Sequence, residues 1–273
     1  MSEPVRSVEE FVAWTRQLQG RFLLYRGLAD SAWEVESSAY RRIRGSEDLV
    51  QVPPVTFQNY IAWLLESSSL QGFRHRQDRE LSDLELLADL QHYGAATCLI
   101  DFTTNALVAL WFACEKEPGK AGKVVAMATD DSERFSVVSY ERLKTPIEEF
   151  LYQNTLWTWE PSGMNNRIIA QQSVFVFGEG KIRKDEYNEI EIAADGKQEI
   201  METLEKSFGT AARRLFNDFV GFALWNAYNK PYTDFTAEDF FSLGLLSQQQ
   251  GDHEKAVYYY DKVIERTEGY PND

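Results

Sequence analysis

The chain reads as an α+β domain followed by a C-terminal α-helical hairpin. Three observations predict this class. Apolar or alternating runs of strand length recur at residues 22–27, 122–128 and 174–177, and apolar residues spaced i, i+3, i+4 fill 55–90. In the tail, small residues at 244 and 256 fall where two helices of a pair can cross closely.

Ser7 offers an N-cap, Glu10 stands at the capping-box position, and Phe11, Trp14 and Leu18 follow at helical spacing toward Gly20. Residues 22–27 then form a strand that delivers Arg26 at its end, where Gly27 allows a sharp turn or close approach of backbone to a ligand. Arg26 is either a site arginine or an ordinary exposed strand residue. Residues 33–36 alternate like a second strand. Two helices follow, at 60–68 and 81–91, joined by the charged segment 74–80. Its arginines, 74, 76 and 79, stand among acidic residues and read as solvated charge. A second basic cluster, Arg41, Arg42 and Arg44, leaves room for a local anion site.

The stretch 87–113 organises the domain. It runs from the end of a helix through Gln91, His92, Tyr93 and Gly94 into a short apolar strand, then Asp101, Phe102, Thr103, Thr104 and a second apolar helix. Polar side chains held between two buried elements are rigidly placed, and such element ends are where sites are built.

Residues 122–128 read as a buried strand, 133–140 as a short one, Pro146 as the start of a short helix and 156–159 as extended. Residues 165–178 read as a polar loop entering a strand, with Arg167, Gln171 and Gln172 at its beginning; the glutamines serve there to satisfy backbone groups. Residues 190–193 form a last strand, and helices at 198–206 and 211–229 close the domain near residue 230. Residues 231–273 make the helical hairpin. Phe240, Leu243, Gly244, Gly251, Ala256, Tyr260 and Val263 have the spacing of one tetratricopeptide repeat. A lone hairpin cannot bury its own face, so the tail packs on the first domain, pairs with another chain or begins a longer array.

A net charge of −15 argues against general binding to a nucleic-acid backbone, which draws on Lys and Arg. No run reaches the roughly 18 apolar residues of a membrane span. The N-terminus lacks a basic-then-apolar signal layout, so a cytoplasmic, membrane-free protein is expected. Cys98 and Cys114 lie in apolar surroundings and read as core. With three histidines far apart in sequence, no metal site is expected.

Tyr25-Arg26-Gly27 with Trp33 and Arg41, Gln91-His92-Tyr93-Gly94, Leu99 to Thr103, Ala109 to Ala113, Arg167 with Ala170-Gln171-Gln172, and Leu215-Phe216-Asn217-Asp218 together resemble the FRG domain family over about residues 22–227. The resemblance implies an ADP-ribosyltransferase-like split β-sheet core with flanking helices. It further implies NAD as substrate, without a metal. In that pattern Arg26 resembles the NAD-binding arginine, residues 101–113 the strand-to-helix element, and Gln171 or Gln172 the position of the usual glutamate. A glutamine there offers a hydrogen bond without charge, which leaves His92 and Asp101 as further catalytic candidates. Gly27, Arg41, Gln91, Tyr93, Thr103, Thr104 and Arg167 complete the implied nucleotide site, with Tyr93 stacking on nicotinamide. The expected activity is transfer of ADP-ribose or hydrolysis of NAD by a toxin or phage-defence effector. Its repeat-like tail would engage a protein partner. The alternative is a non-catalytic nucleotide-binding or protein-interaction module on the same scaffold.

Overall fold

The computed structural model describes residues 3–76, 78–130, 134–161, 166–229, 231–232 and 235–268. Helix α1 (Val8–Thr15) is capped by Ser7, whose hydroxyl accepts from the Glu10 amide, and it ends well before Gly20. Strand β1 (Leu23–Leu28), helix α2 (Ser38–Ser46) and helix α3 (Pro54–Leu70) follow. Residues 33–36 contribute only the isolated bridge Glu36↔Lys181 rather than a strand. Alternation alone is a weak strand signal where no neighbouring strand completes a ladder.

The hairpin β2 (His75–Arg76) and β3 (Arg79–Glu80) leads into α4 (Asp83–His92), which opens with a full capping box between Ser82 and Glu85. The hairpin arginines are not merely solvated. Arg74 pairs with Asp83 at 2.8 Å, Arg79 with Glu85 at 2.8 Å, and Arg76 with Asp89, so three ion pairs tie the hairpin to α4. Then come β4 (Ile100–Thr103), α5 (Ala106–Cys114), β5 (Gly122–Ala128), β6 (Phe135–Val137), β7 (Leu156–Trp159), α6 (Asn166–Gln171), β8 (Ser173–Phe177), β9 (Asn188–Ile192) and α7 (Lys197–Phe208). A single 3₁₀ turn at Ile147–Glu149 is all that forms after Pro146.

Asn105 starts α5 by accepting from the amides of Leu107 and Val108 through Oδ1. This satisfies two of the orphan donors of a helix whose body is almost wholly buried. Asn105→Ala is expected to cost about 1 kcal/mol, seen as a melting temperature lowered by roughly 2–4 °C; an unchanged thermal melt would dismiss the cap's contribution.

Two regions depart from the sequence reading. Residues 166–171 form helix α6, not a loop entering a strand, and Gln172 follows it with φ 47°. Asn165, expected in that loop, lies outside the described residues, as does Lys230 at the expected domain boundary. The single helix expected over 211–229 is broken into α8 (Ala212–Leu215) and α9 (Phe219–Trp225) by a turn at Phe216, Asn217 and Asp218. Apolar periodicity runs through the break, because both halves need an apolar face; the turn is stabilised by contacts from elsewhere in the chain, set out below.

The main sheet has the order β6-β7-β8-β4-β1-β5-β9, with β6 parallel to β7 and the other neighbours antiparallel. This mixed sheet with its helices makes an α+β fold. On one face, Leu24, Leu28, Phe102, Val125, Met127, Val174 and Val176 form a continuous core. The other face carries two separate cores. Tyr25, Val124, Ala126, Ile190 and Ile192 pack with Phe11, Trp111 and Leu204 toward β9, while Trp157, Trp159, Phe175 and Phe177 pack with Phe57, Leu84 and Leu87 toward β7. The period-two alternation of β4, β5 and β8 sorts residues between these faces. Between the two cores lies a seam over β1, β4 and β8.

Cys98 and Cys114 are both buried, and burial pushes each thiol up to about 12, which leaves neither as a thiolate. Among the described residues, no helix is long and apolar enough to cross a membrane.

The chain divides into two compact units, Met1–Phe222 and Ala223–Asp273. In the second, α10 (Ala237–Gln249) and α11 (His253–Glu268) form a hairpin that turns at Gly251, φ 77°. A Cβ at Gly244 would lie 2.5 Å from the Tyr260 ring, so the absence of a side chain there lets the helices cross closely.

Candidate functional site

The seam between the two cores holds a pocket of about 240 Å³. Six elements supply its walls: Tyr25, Arg26 and Gly27 from β1, Gln91 and His92 from α4, Asp101 and Thr103 from β4, Phe112 from α5, Arg167 and Gln171 from α6, and Phe175 from β8. Eight residues singled out from the sequence therefore meet in one place: Arg26, Gly27, Gln91, His92, Asp101, Thr103, Arg167 and Gln171.

The pocket exists because the sheet opens there. Strand β1 pairs with β5 over six residues but with β4 only at Tyr25↔Thr103. Past that pair β4 stays paired with β8 but loses β1 on its other side, and the Asp101 carbonyl instead accepts from Arg26 Nη1 at 2.5 Å. The guanidinium thus replaces a ladder hydrogen bond at the split. Its side chain is 18% exposed, and Nε makes no hydrogen bond although it is buried. Burial pulls this guanidinium below its ordinary value, the Asp101 carboxylate opposes that, and Arg41 adds to it. Arginine nonetheless stays charged in the working pH range.

Asp101 does not neutralise Arg26 closely: Nη1 to Oδ2 is 3.9 Å. The reason is Gln91, whose Nε2 donates to Asp101 Oδ1 at 2.9 Å while its Oε1 accepts from the Thr97 hydroxyl. Gln91 is thereby fixed at both ends and holds the carboxylate at the pocket rim. Across the pocket, Arg167 lies over the Phe216 ring at 4.3 Å from its centroid. Burial lowers its pKa as well, opposed by Asp218, Asp101 and Glu115. Two guanidiniums in one cleft, neither in a close ion pair among the described residues, make it attractive to anionic oxygens, which both can bind through paired N–H groups.

Gln171 lines the pocket, yet its amide Nε2 donates to the Leu215 carbonyl at 3.0 Å, and its own carbonyl accepts from Thr103 Oγ1 at 2.7 Å. Thr103 Oγ1 also accepts from the Asn105 amide, so this hydroxyl straps β4, α5 and α6 together. Gln172 lies off the pocket, its Oε1 3.4 Å from the Thr104 hydroxyl, and both residues are exposed. Tyr93 is 74% exposed and stacks edge-on to His92 rather than lining the cleft. Arg41 is exposed on α2 and acts on Arg26 through charge alone.

Gly27 serves packing first. A Cβ there would meet the Ala109 carbonyl at 1.9 Å and the Ala113 amide at 2.6 Å, so its absence lets α5 lie directly on β1.

The residue missing from the sequence-derived site is Asp218. Its Oδ2 lies 3.6 Å from His92 Nε2, with the two side chains 11% and 13% exposed. Only the resemblance of residues 215–218 to a family motif marked this segment, and no periodicity shows where its carboxylate goes. Among the described residues, no group of three or more His, Cys, Asp or Glu is arranged to hold a metal ion.

Fold and site together describe an α+β domain with an arginine-bearing cleft at a break in its central sheet. The sequence model of the FRG domain matches residues 21–121, so the chain carries an FRG domain. That match includes Arg26, Gln91, His92 and Asp101; Arg167, Gln171 and Asp218 lie beyond it. No curated protein and no solved structure matches the chain.

Proposed function

We propose that the cleft binds a nicotinamide dinucleotide and cleaves its glycosidic bond, passing ADP-ribose to water or to an acceptor. The observation that carries this reading is the convergence of Arg26 and Arg167 with Asp101 and His92 at the split between β1 and β4. A sheet that opens at the strand bearing the arginine supports the resemblance to the ADP-ribosyltransferase core. The pocket is smaller than the roughly 300–1,000 Å³ of ordinary ligand sites, which fits the nicotinamide riboside end, with the rest of the dinucleotide reaching outward past the arginines. Tyr25, Phe112 and Phe175 supply aromatic walls for the nicotinamide ring. Asp101, held by Gln91, supplies negative charge where positive charge develops on the ribose.

Incubation with NAD tests this directly. Release of nicotinamide and a raised melting temperature with NAD are expected; neither effect in the wild-type protein would remove the reading. The alternative, nucleotide binding without chemistry, draws on Gln171, whose amide already holds the Leu215 carbonyl. It predicts the melting shift without nicotinamide release.

The α10–α11 hairpin, with its tetratricopeptide-like spacing, serves in this proposal as a surface for a protein partner. The whole organisation fits a cytoplasmic toxin or phage-defence effector, an analogy at the level of domain organisation.

A further inference from the structure

The break between α8 and α9 has no local cause that periodicity reveals, yet it places a carboxylate beside the pocket. Asp218 Oδ1 accepts from the Gly221 amide at 2.6 Å, which caps the second half of the broken helix and holds the side chain in one orientation. The other oxygen, Oδ2, is buried with no hydrogen-bond partner and lies 3.6 Å from His92 Nε2. A buried carboxylate oxygen without a donor is costly. That cost is offset if a cation or N–H faces it in the working state. His92 is the group positioned to do so, and Arg167, over the adjacent Phe216 ring, adds positive charge nearby. The break is fastened from the pocket side too, because Gln171 Nε2 takes up the Leu215 carbonyl freed at the end of α8.

We propose that Asp218 is a positioning residue of this site, which orients His92 so that Nε2 carries the proton and Nδ1 is the acceptor. This rests on the reading of the cleft as an NAD-cleaving site. The C–N bond to nicotinamide breaks and its electron pair leaves with the nicotinamide, neutralising the pyridinium. An oxygen of water or acceptor bonds to the ribose carbon, and its proton passes to His92 Nδ1. The resulting imidazolium is stabilised by Asp218 through Nε2, the role a carboxylate plays behind a catalytic histidine. The usual glutamate's absence is then met by two aspartates with divided tasks: Asp101 at the ribose and Asp218 behind the base.

The test has two arms. In kinetics, Asp218→Asn is expected to lower kcat for nicotinamide release about a hundredfold, with KM for NAD changed by less than about threefold. Adding His92→Gln to Asp218→Asn should lower activity little beyond His92→Gln alone, as for residues acting as a unit. Effects that multiply independently would overturn the proposal. The second arm needs no nucleotide. Heteronuclear NMR of the imidazole nitrogens, with His92→Gln identifying the signal among the three histidines, should find neutral His92 as the Nε2–H tautomer in the wild type. In Asp218→Asn that preference should be lost. An Nδ1–H tautomer in the wild type, or no change in the variant, overturns the role of Asp218 whatever NAD does. Absence of NAD cleavage alongside the expected tautomers would instead remove the NAD reading and leave the His92–Asp218 pair standing.

Discussion

Arg26→Ala is expected to lower kcat/KM for nicotinamide release about 10³-fold, the scale of removing a preorganised charged donor from a transition state. The same change should abolish the melting shift produced by NAD. The guanidinium is poised for this because the protein itself uses little of it. Nη1 meets one backbone carbonyl, Nε meets nothing, and the nearest carboxylate is held off at 3.9 Å by Gln91. Loss of the side chain exposes the Asp101 carbonyl to pocket water, so the fold should lose only about 1 kcal/mol, or roughly 2–4 °C in melting temperature. Arg26→Lys keeps the charge but not the planar fork and should restore only part of the activity. An Arg26→Ala protein that keeps wild-type turnover with an unchanged melting shift would defeat the assignment of this arginine.

Gly27→Ala should have the largest effect on stability. The new methyl group would lie 1.9 Å from the Ala109 carbonyl and 2.6 Å from the Ala113 amide, both backbone atoms of a buried helix. No rotamer change relieves such contacts, so α5 must shift away from β1. Overpacking of this kind costs about 3 kcal/mol, a fall in melting temperature of roughly 6–12 °C. Because α5 also supplies Phe112 to the pocket wall, NAD should protect the variant less than the wild type. A variant melting within about 2 °C of wild type would mean that α5 moves freely on β1. The two substitutions separate neighbouring roles: Arg26 lines the pocket and contributes little to the fold, whereas Gly27 lets α5 pack on β1.

Much of this site was legible in the residues. Arg26 at the end of an apolar strand, Gln91 and His92 at the end of a patterned helix, and Asp101 between two buried elements all owe their positions to local periodicity. The pocket brings these residues together. The sequence does not choose between Gln171 and Gln172, because both read as the start of a strand, where one residue of slip reverses the face. Gln171 instead ends a six-residue helix, too short to be stable by itself, and Gln172 follows it with φ 47°. That helix is held by Gln171 Nε2 on the Leu215 carbonyl, Thr103 on the Gln171 carbonyl, and Arg167 on the Phe216 ring.

What the sequence alone determined is the set of elements with a strong local signal: the strands β1, β5 and β7, the helices α3, α4 and α5, the hairpin of α10 and α11, and the cluster of polar residues around 91–103. Burial patterns with period two or 3.6 and side-chain caps are properties of neighbouring residues, and neighbours suffice to state them. Tertiary structure alone decided where the sheet opens, that residues 166–171 are helical, and that the helix after residue 211 breaks at Asp218. Each depends on partners 40 or more residues away in the chain: Asp101 for Arg26, Leu215 for Gln171, and His92 for Asp218. A single-residue pattern contains no term for such distant pairs, and the cleft is built from them.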